Sequence, residues 1–313
     1  MAFSASRLSL LAAIAIMVVW GVNFAVTKVV LDAIGVGPFL FIRFLTLPLL
    51  GFALLALVYR RHLAQSLPRR ADWPRFIAAG LIGHTVHVGI VTWGINLSTA
   101  FSSSLVLTSG PLFTLLILAL MGGDRLRPRQ VAGTLAAFAG IVLFLSDKFA
   151  AGFSRAGLGD LVLLCAAALF SLYTVISRPL AARYGPLPVL AWTLAIGAPP
   201  TVLFTLPSFR AARFDAVPPG VWLGMFWAIV VSSFLGWLVW SWVNNVRGLA
   251  RSAPLQYLMP PISGMVAWLL LGEQFNALKL GGAALTMAGV AWAQFGGRKV
   301  GEQERVVTPP DPG

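Results

Sequence analysis

Charged side chains are scarce in these 313 residues, at 11% of the chain, and the shortage is steepest for acids: ten Asp and Glu against 23 Lys and Arg. A soluble domain has roughly a quarter of its residues charged. A chain that is 58% hydrophobic with a mean hydropathy of +0.85 therefore falls outside the soluble class and belongs in a bilayer. One cysteine, Cys165, excludes an internal disulfide framework and any cysteine-based metal cluster. It lies in the apolar run 161–172, where a small buried thiol is expected. The net charge of +13 does not indicate nucleic acid, because the basic residues stand in short clusters between apolar runs and form no continuous patch.

What the chain has in abundance is long apolar runs. A membrane-crossing helix needs about 20 apolar residues, and ten such spans fit: 8–30, 38–58, 76–97, 102–121, 130–146, 161–182, 188–207, 221–246, 253–271 and 278–295. The first follows a single basic residue, Arg7, and could be taken for a signal peptide; its length and its place in the repeat described next make it a retained span. The tail after residue 296 is polar and proline-rich, a composition that does not fold alone.

The spans come in two sets. Pro111, Gly123-Asp124, Gly133 and Gly140 recur as Pro260, Gly272-Glu273, Gly282 and Gly289, every pair 149 positions apart, and Trp93 and Asn96 fall on Trp242 and Asn245 at the same spacing. One residue of slippage aligns Lys28 with Arg178, Gly35 with Gly185 and Pro38 with Pro188. An internal duplication accounts for this better than chance apolar similarity. Residues 1–149 form a first five-helix repeat, 150–297 a second, and 298–313 a disordered cytoplasmic tail. With the N-terminus inside, sixteen Lys and Arg fall on the inner side and six on the outer, with Arg43 left within a span. Positive charge marks the cytoplasmic side, so both termini are expected there, in a cytoplasmic (inner) membrane. Five spans per copy is an odd number, so the second copy enters from the opposite face. The fold expected is an all-α membrane protein of ten transmembrane helices in two inverted five-helix repeats, an architecture of secondary transporters.

Particular residues carry a family resemblance. Trp20-Gly21, Asn23-Phe24 and Lys28 in span one, Arg43-Phe44 in span two, Pro111 with Gly123-Asp124, and Pro260 with Leu271-Gly272-Glu273 and Gly289 resemble the ten-helix EamA-type members of the drug/metabolite transporter superfamily, over residues 8–296. The resemblance implies transport without a cofactor, and within that family an amino-acid exporter branch. Asp124 stands where the family usually has Glu, and Phe170-Ser171 replaces the usual Trp-Ala before Tyr173. The superfamily carries amino acids, other metabolites and drugs, so the resemblance does not name the substrate.

The candidate site residues are polar or aromatic side chains inside apolar spans. Arg43 is the one permanent charge within a span, and a guanidinium in lipid costs at least ~2.5 kcal/mol; it is either a carboxylate-binding or gating residue or a structural arginine bonded to loop carbonyls. His84 and His87 are one turn apart on one face and line a cavity more readily than they hold a metal, for which no Cys, Asp or Glu stands beside them. Asn23, Tyr173, Asn244, Gln256 and Tyr257 are hydrogen-bonding groups divided between interhelical contacts and substrate binding. Trp20 and Trp93, next to Gly21 and Gly94, suit an aromatic-lined cavity. Pro111, Pro260 and Pro261 break spans four and nine and place them beside it. Gly133 and Gly140, with Gly282 and Gly289, form packing seams between the halves. A cavity lined by spans one, three, four, six, eight and nine is expected.

No acid stands well inside a span: Asp32, Asp72, Asp124, Asp147, Asp160, Asp215 and Glu273 fall at span ends or in loops. Asp124 and Glu273 are expected to accept backbone hydrogen bonds or pair with arginine at the starts of spans five and ten. Transport is thus expected to be facilitated diffusion or exchange, with proton-coupled export of drugs or other metabolites as the alternative. A membrane-embedded enzyme is disfavoured, since no nucleophile, base and acid can be assembled. The partners expected are a small-molecule substrate and the lipid bilayer, with no nucleic acid and the chain acting as a monomer. The charge count predicts that, in a Cys165→Ala background, an Arg155→Cys variant is labelled by a membrane-impermeant maleimide in intact cells. Labelling only after permeabilisation overturns the orientation.

Overall fold

The computed structural model describes residues 5–60, 63–120, 128–150, 155–247 and 252–295, and these are helical with short connections. Eight helices are long and apolar enough to cross a membrane, and two shorter apolar helices complete the set of ten. They are α1 (Ala5–Ile34), α2 (Val36–Val58), α3 (73–97), α4 (100–120), α5 (Pro128–Ala150), α6 (Arg155–Tyr184), α7 (Pro186–Ala211), α8 (219–247), α9 (Met259–Leu271, after a 3₁₀ turn at Ala253–Leu258) and α10 (Ala277–Phe295). Their outward faces stay apolar, as contact with lipid chains requires; Leu203 and Phe204 are 70% and 86% exposed, and Cys165, expected to be buried, is on the exposed face of α6. Asp124 and the tail 298–313 lie outside the described residues.

The duplication is visible in the backbone. One residue, Gly35, joins α1 to α2 with φ 80° and ψ 167°, and Gly185 joins α6 to α7 with φ 81° and ψ 167°. A side chain at that φ meets steric resistance that glycine avoids. Proline follows in the first turn of each new helix, Pro38 in α2 and Pro186 in α7, where a missing N–H costs nothing. The corner is therefore built twice by the same local chemistry.

The two copies interlock. α2 packs along its mate α7 and α5 along its mate α10, while α1 packs on α8 and α9 of the other copy and α6 on α3 and α4. The α5–α10 contact depends on small residues. A Cβ on Gly133 would stand 2.4 Å from the backbone nitrogen of Ala293, one on Gly140 2.4 Å from that of Thr286, one on Gly282 2.5 Å from that of Phe144, and one on Gly289 2.4 Å from that of Ala137. The backbones themselves touch, which in lipid is the main source of helix attraction.

Polar groups inside the bundle are satisfied locally or across helices. α4 is interrupted between Leu107 and Gly110, where the Thr108 hydroxyl donates to the Ser104 carbonyl at 2.7 Å and the Ser109 hydroxyl to that of Val106 at 2.6 Å. Pro111 opens the second piece, and the Gly110 carbonyl accepts from the Ser171 hydroxyl on α6 at 2.7 Å. Pro260 takes the matching place at the start of α9, whereas Pro261 faces outward. Glu273 does accept backbone hydrogen bonds, but at the start of α4 and not of span ten: its carboxylate takes the Ala100 N–H at 2.7 Å and the Phe101 N–H at 3.4 Å. The left-handed Gly272 (φ 65°) turns the chain at the end of α9 and aims Glu273 across the bundle, where an anion suits a helix N-terminus.

Gly140→Val should lower stability by about 3 kcal/mol, the upper range for overpacking, read as a lower melting temperature in detergent. Gly281→Ala, with open space around it, should stay within about 0.5 kcal/mol of the parent.

Candidate functional site

A narrow space lies between α2, α3, α7 and α8, bounded by Arg43, His84 and Ser233 and by the apolar side chains of Phe44, Leu47, Val88, Leu190, Leu194 and Trp237. Its volume is about 10 Å³, room for one water at most. Its walls repeat themselves. Phe44 and Leu194 are mates at the 150-residue offset, and His84 and Ser233, like Val88 and Trp237, are mates at 149. The space thus sits on the internal twofold, with different chemistry at matching positions on its two sides.

Arg43 reaches this space from about 10 Å along α2 by helical rise. Its Cζ lies 6.0 Å from the Phe39 ring centroid, at the limit of a cation–π contact. Its buried Nε finds no acceptor among the described residues. Its repeat mate is Thr193, which bonds His84: the imidazole Nε2 and the Thr193 hydroxyl oxygen are 3.1 Å apart. That hydroxyl also lies 2.7 Å from the Val189 carbonyl; with its hydrogen directed there, the Thr193 oxygen accepts from His84 Nε2–H. His87 Nδ1 stands 2.9 Å from the Ala166 carbonyl, which can only accept, so Nδ1 carries the proton there. Both imidazoles are buried and hydrogen-bonded.

Aromatic rings extend the site toward α6. Tyr173 is 5.5 Å from His84 and 5.7 Å from Trp237 between centroids, Trp237 is 5.1 Å from His84 and 5.8 Å from Phe170, and Phe170 is 5.2 Å from His87. A Cβ on Gly83 would stand 2.2 Å from the Tyr173 ring, so that glycine makes room for the tyrosine.

α3 and α8 are not regular where they meet the space. Gly80–His87 and Trp227–Leu235 are π-helical, and they overlap when shifted by the repeat. A π segment inserts a residue, widens the turn and often marks a functional position. Here it carries His84 and Ser233 onto facing walls.

Of the side chains named from sequence, Arg43, His84 and Tyr173 come together, with His87 behind them. Trp20 supports the site from α1, donating its indole N–H to the Ser232 carbonyl at 3.0 Å and lying edge-on to Trp240. The Oδ1 atoms of Asn23 and Asn244 and the Tyr257 hydroxyl are buried without a partner among the described residues and do not line the space. Tyr257 packs beside Leu112 and Val290, and Gln256 is half-buried in the 3₁₀ turn. Trp93 departs from expectation: it is 51% exposed, because Gly94 takes the inner face of α3 against Leu163 and turns its neighbour outward. The lining helices differ too. α2 and α7 line the space in place of spans one, four and nine, and α6 joins the site only through Tyr173 and Phe170 beside it. Thr193, Ser233 and Trp237 were missed, although the repeat offset identifies all three as mates of Arg43, His84 and Val88.

Side-chain contacts join helices toward each end of the bundle. At the end bearing the 59–72 connection, Asp72 accepts from Arg183 at 2.6 Å and from the Tyr184 hydroxyl at 2.5 Å, and the Trp192 indole donates to the Ser66 carbonyl at 2.9 Å. At the other end, Phe41 and Phe209 stack at 4.1 Å. There Asp160, placed at a span end from sequence, is indeed near the start of α6, but it is wholly buried and hydrogen-bonded by the Ser98 hydroxyl.

A mostly apolar pocket with a few polar groups, between two inverted five-helix repeats, is the arrangement of a secondary transporter. The EamA-like transporter family matches residues 7–146 and again 157–294, and the chain belongs to this family, within the drug/metabolite transporter superfamily. A Streptantibioticus cattleyicolor protein named "Probable terminal-alkyne amino-acid exporter" is 29% identical over 94% of this chain and 95% of its own. An Escherichia coli K12 protein named "Probable amino-acid metabolite efflux pump" is 26% identical over 91% and 94%. A crystal structure 21% identical in sequence superposes with a TM-score of 0.65 over 95% of this chain and 100% of that one, which supports the fold.

Gly83→Ala should displace Tyr173 and slow transport about tenfold, a loss of roughly 1.4 kcal/mol, in proteoliposome flux. Gly89→Ala, with nothing within 4 Å, should transport as the parent does.

Proposed function

We propose that this transporter exports small amphipathic metabolites, amino acids first among them, across the cytoplasmic membrane by alternating access, as a monomer with both termini in the cytoplasm. The observation that carries the reading is the pocket on the twofold axis, walled by repeat mates and nearly filled by their side chains. Inverted halves exchange inward-open and outward-open shapes by trading conformations about such an axis. The paired π segments in α3 and α8 are the points where the walls repack, and the Asp72–Arg183 and Phe41–Phe209 contacts are the closures that alternate. Two relatives are named for amino-acid export, at 29% and 26% identity.

Transport runs down the substrate's own gradient or by exchange, because the pocket contains no carboxylate among the described residues to load and release a proton. Asp160, a buried acid on α6, favours the second reading, proton-coupled export, but its position beside Ser98 is outside the pocket. Liposomes containing the purified protein, tested with a panel of neutral and aromatic amino acids, should show saturable downhill flux and no accumulation under a pH gradient alone. Uphill accumulation that disappears in Asp160→Asn would establish the second reading, and absence of flux for every amino acid would end the first.

A further inference from the structure

The pocket's charge does not balance. Arg43 brings a permanent positive charge into it, with the buried Nε unmatched among the described residues. The acids whose side chains are described are committed elsewhere: Asp32 to Lys28, Asp72 to Arg183 and Tyr184, Asp160 to Ser98, Glu273 to the start of α4, and Asp215 in an exposed connection. A guanidinium with no acid beside it among the described residues favours an incoming anion, and the planar fork of arginine fits a carboxylate with two parallel hydrogen bonds. The remaining polar groups of the walls are an imidazole and a hydroxyl. His84 spends its Nε2–H on Thr193, and Ser233 gives its hydroxyl hydrogen to the Ala228 carbonyl at 2.6 Å. Among the described residues, nothing in the walls has the charge to pair with an ammonium group. Phe44, Leu47, Val88, Leu194 and Trp237 supply an apolar surface next to Arg43.

We propose that the pocket selects its substrates by their carboxylate and not by their amino group: the class recognised is the amphipathic monocarboxylate, and amino acids are carried as members of it. The inference rests on the transport reading above and narrows it. The substrate's anion supplies the charge that Arg43 lacks, and its apolar part lies against the pocket wall. The ammonium group remains solvated or faces neutral acceptors, so its removal costs little. Amino acids and the corresponding 2-hydroxy acids are then alternative substrates, and decarboxylated amines and esters are not.

The test uses the full chain in liposomes, with counterflow of L-leucine challenged by 2-hydroxy-4-methylpentanoate, 3-methylbutylamine and leucine methyl ester, alongside thermal stabilisation of the detergent-solubilised protein by the same four compounds. The hydroxy acid is expected to compete within about threefold of unlabelled leucine and to stabilise the protein, with the amine and ester at least tenfold weaker, one tenfold step being about 1.4 kcal/mol. Arg43→Gln is expected to lose counterflow of leucine and the hydroxy acid together, and Arg43→Lys to keep part of both. Competition by the amine but not by the hydroxy acid overturns the inference while leaving amino-acid transport standing. Stabilisation by the two carboxylates without any flux does the reverse. Should no compound bind and none move, both fall. The competitor series on the parent protein decides the matter even if the Arg43 variants fail to fold.

Discussion

Helices in lipid gain little by burying leucine against leucine, because the chains around them are just as apolar. Close backbone contact is what remains, and the bundle depends on it most where α5 meets α10. Gly133, Gly140, Gly282 and Gly289 bring the two backbones so near that any Cβ there would fall 2.4 to 2.5 Å from a main-chain nitrogen of the partner. The same four positions are mates in the duplication, so one seam is read twice in opposite directions. It holds the copies together away from the pocket and leaves α2, α3, α7 and α8 to form a space between the halves.

That space follows from how the halves interlock. α1 packs into the second copy and α6 into the first, so neither half completes its core without the other. Their mates meet across the twofold at the pocket, where divergence has made the sides unequal: arginine faces threonine's place, and histidine faces serine's. The packing is symmetric and the chemistry of the two sides is not. The contacts toward the two ends differ as well, polar around Asp72 and aromatic around Phe41.

Much of this was legible in the residues. Ten spans, the duplication, the glycine seam and the polar positions Arg43 and His84 follow from apolar length, from fixed spacing and from the cost of polar groups in lipid. The lining helices were not legible. Proline and amides drew attention to spans one, four, six and nine, but a proline at a helix start is satisfied by neighbours such as Ser171 and need not open a cavity. Trp93 looked equivalent to Trp20 because both precede a glycine. The direction each ring faces depends on which neighbouring helix fills the glycine's hollow, and a lone sequence does not specify that helix.

By itself, the sequence determined that the chain enters a bilayer, crosses it ten times and does so as two opposed copies, because hydropathy, length and spacing act locally and need no partner. Only the tertiary structure decided which polar groups remain unmatched. The π segments insert one residue into a 3.6-residue period without changing composition, and the partners of His84, Asp160 and Glu273 lie 109, 62 and 173 positions away. Whether a buried charge is satisfied depends on what the fold brings beside it, and for Arg43 the fold brings aromatic and aliphatic walls and no described acid.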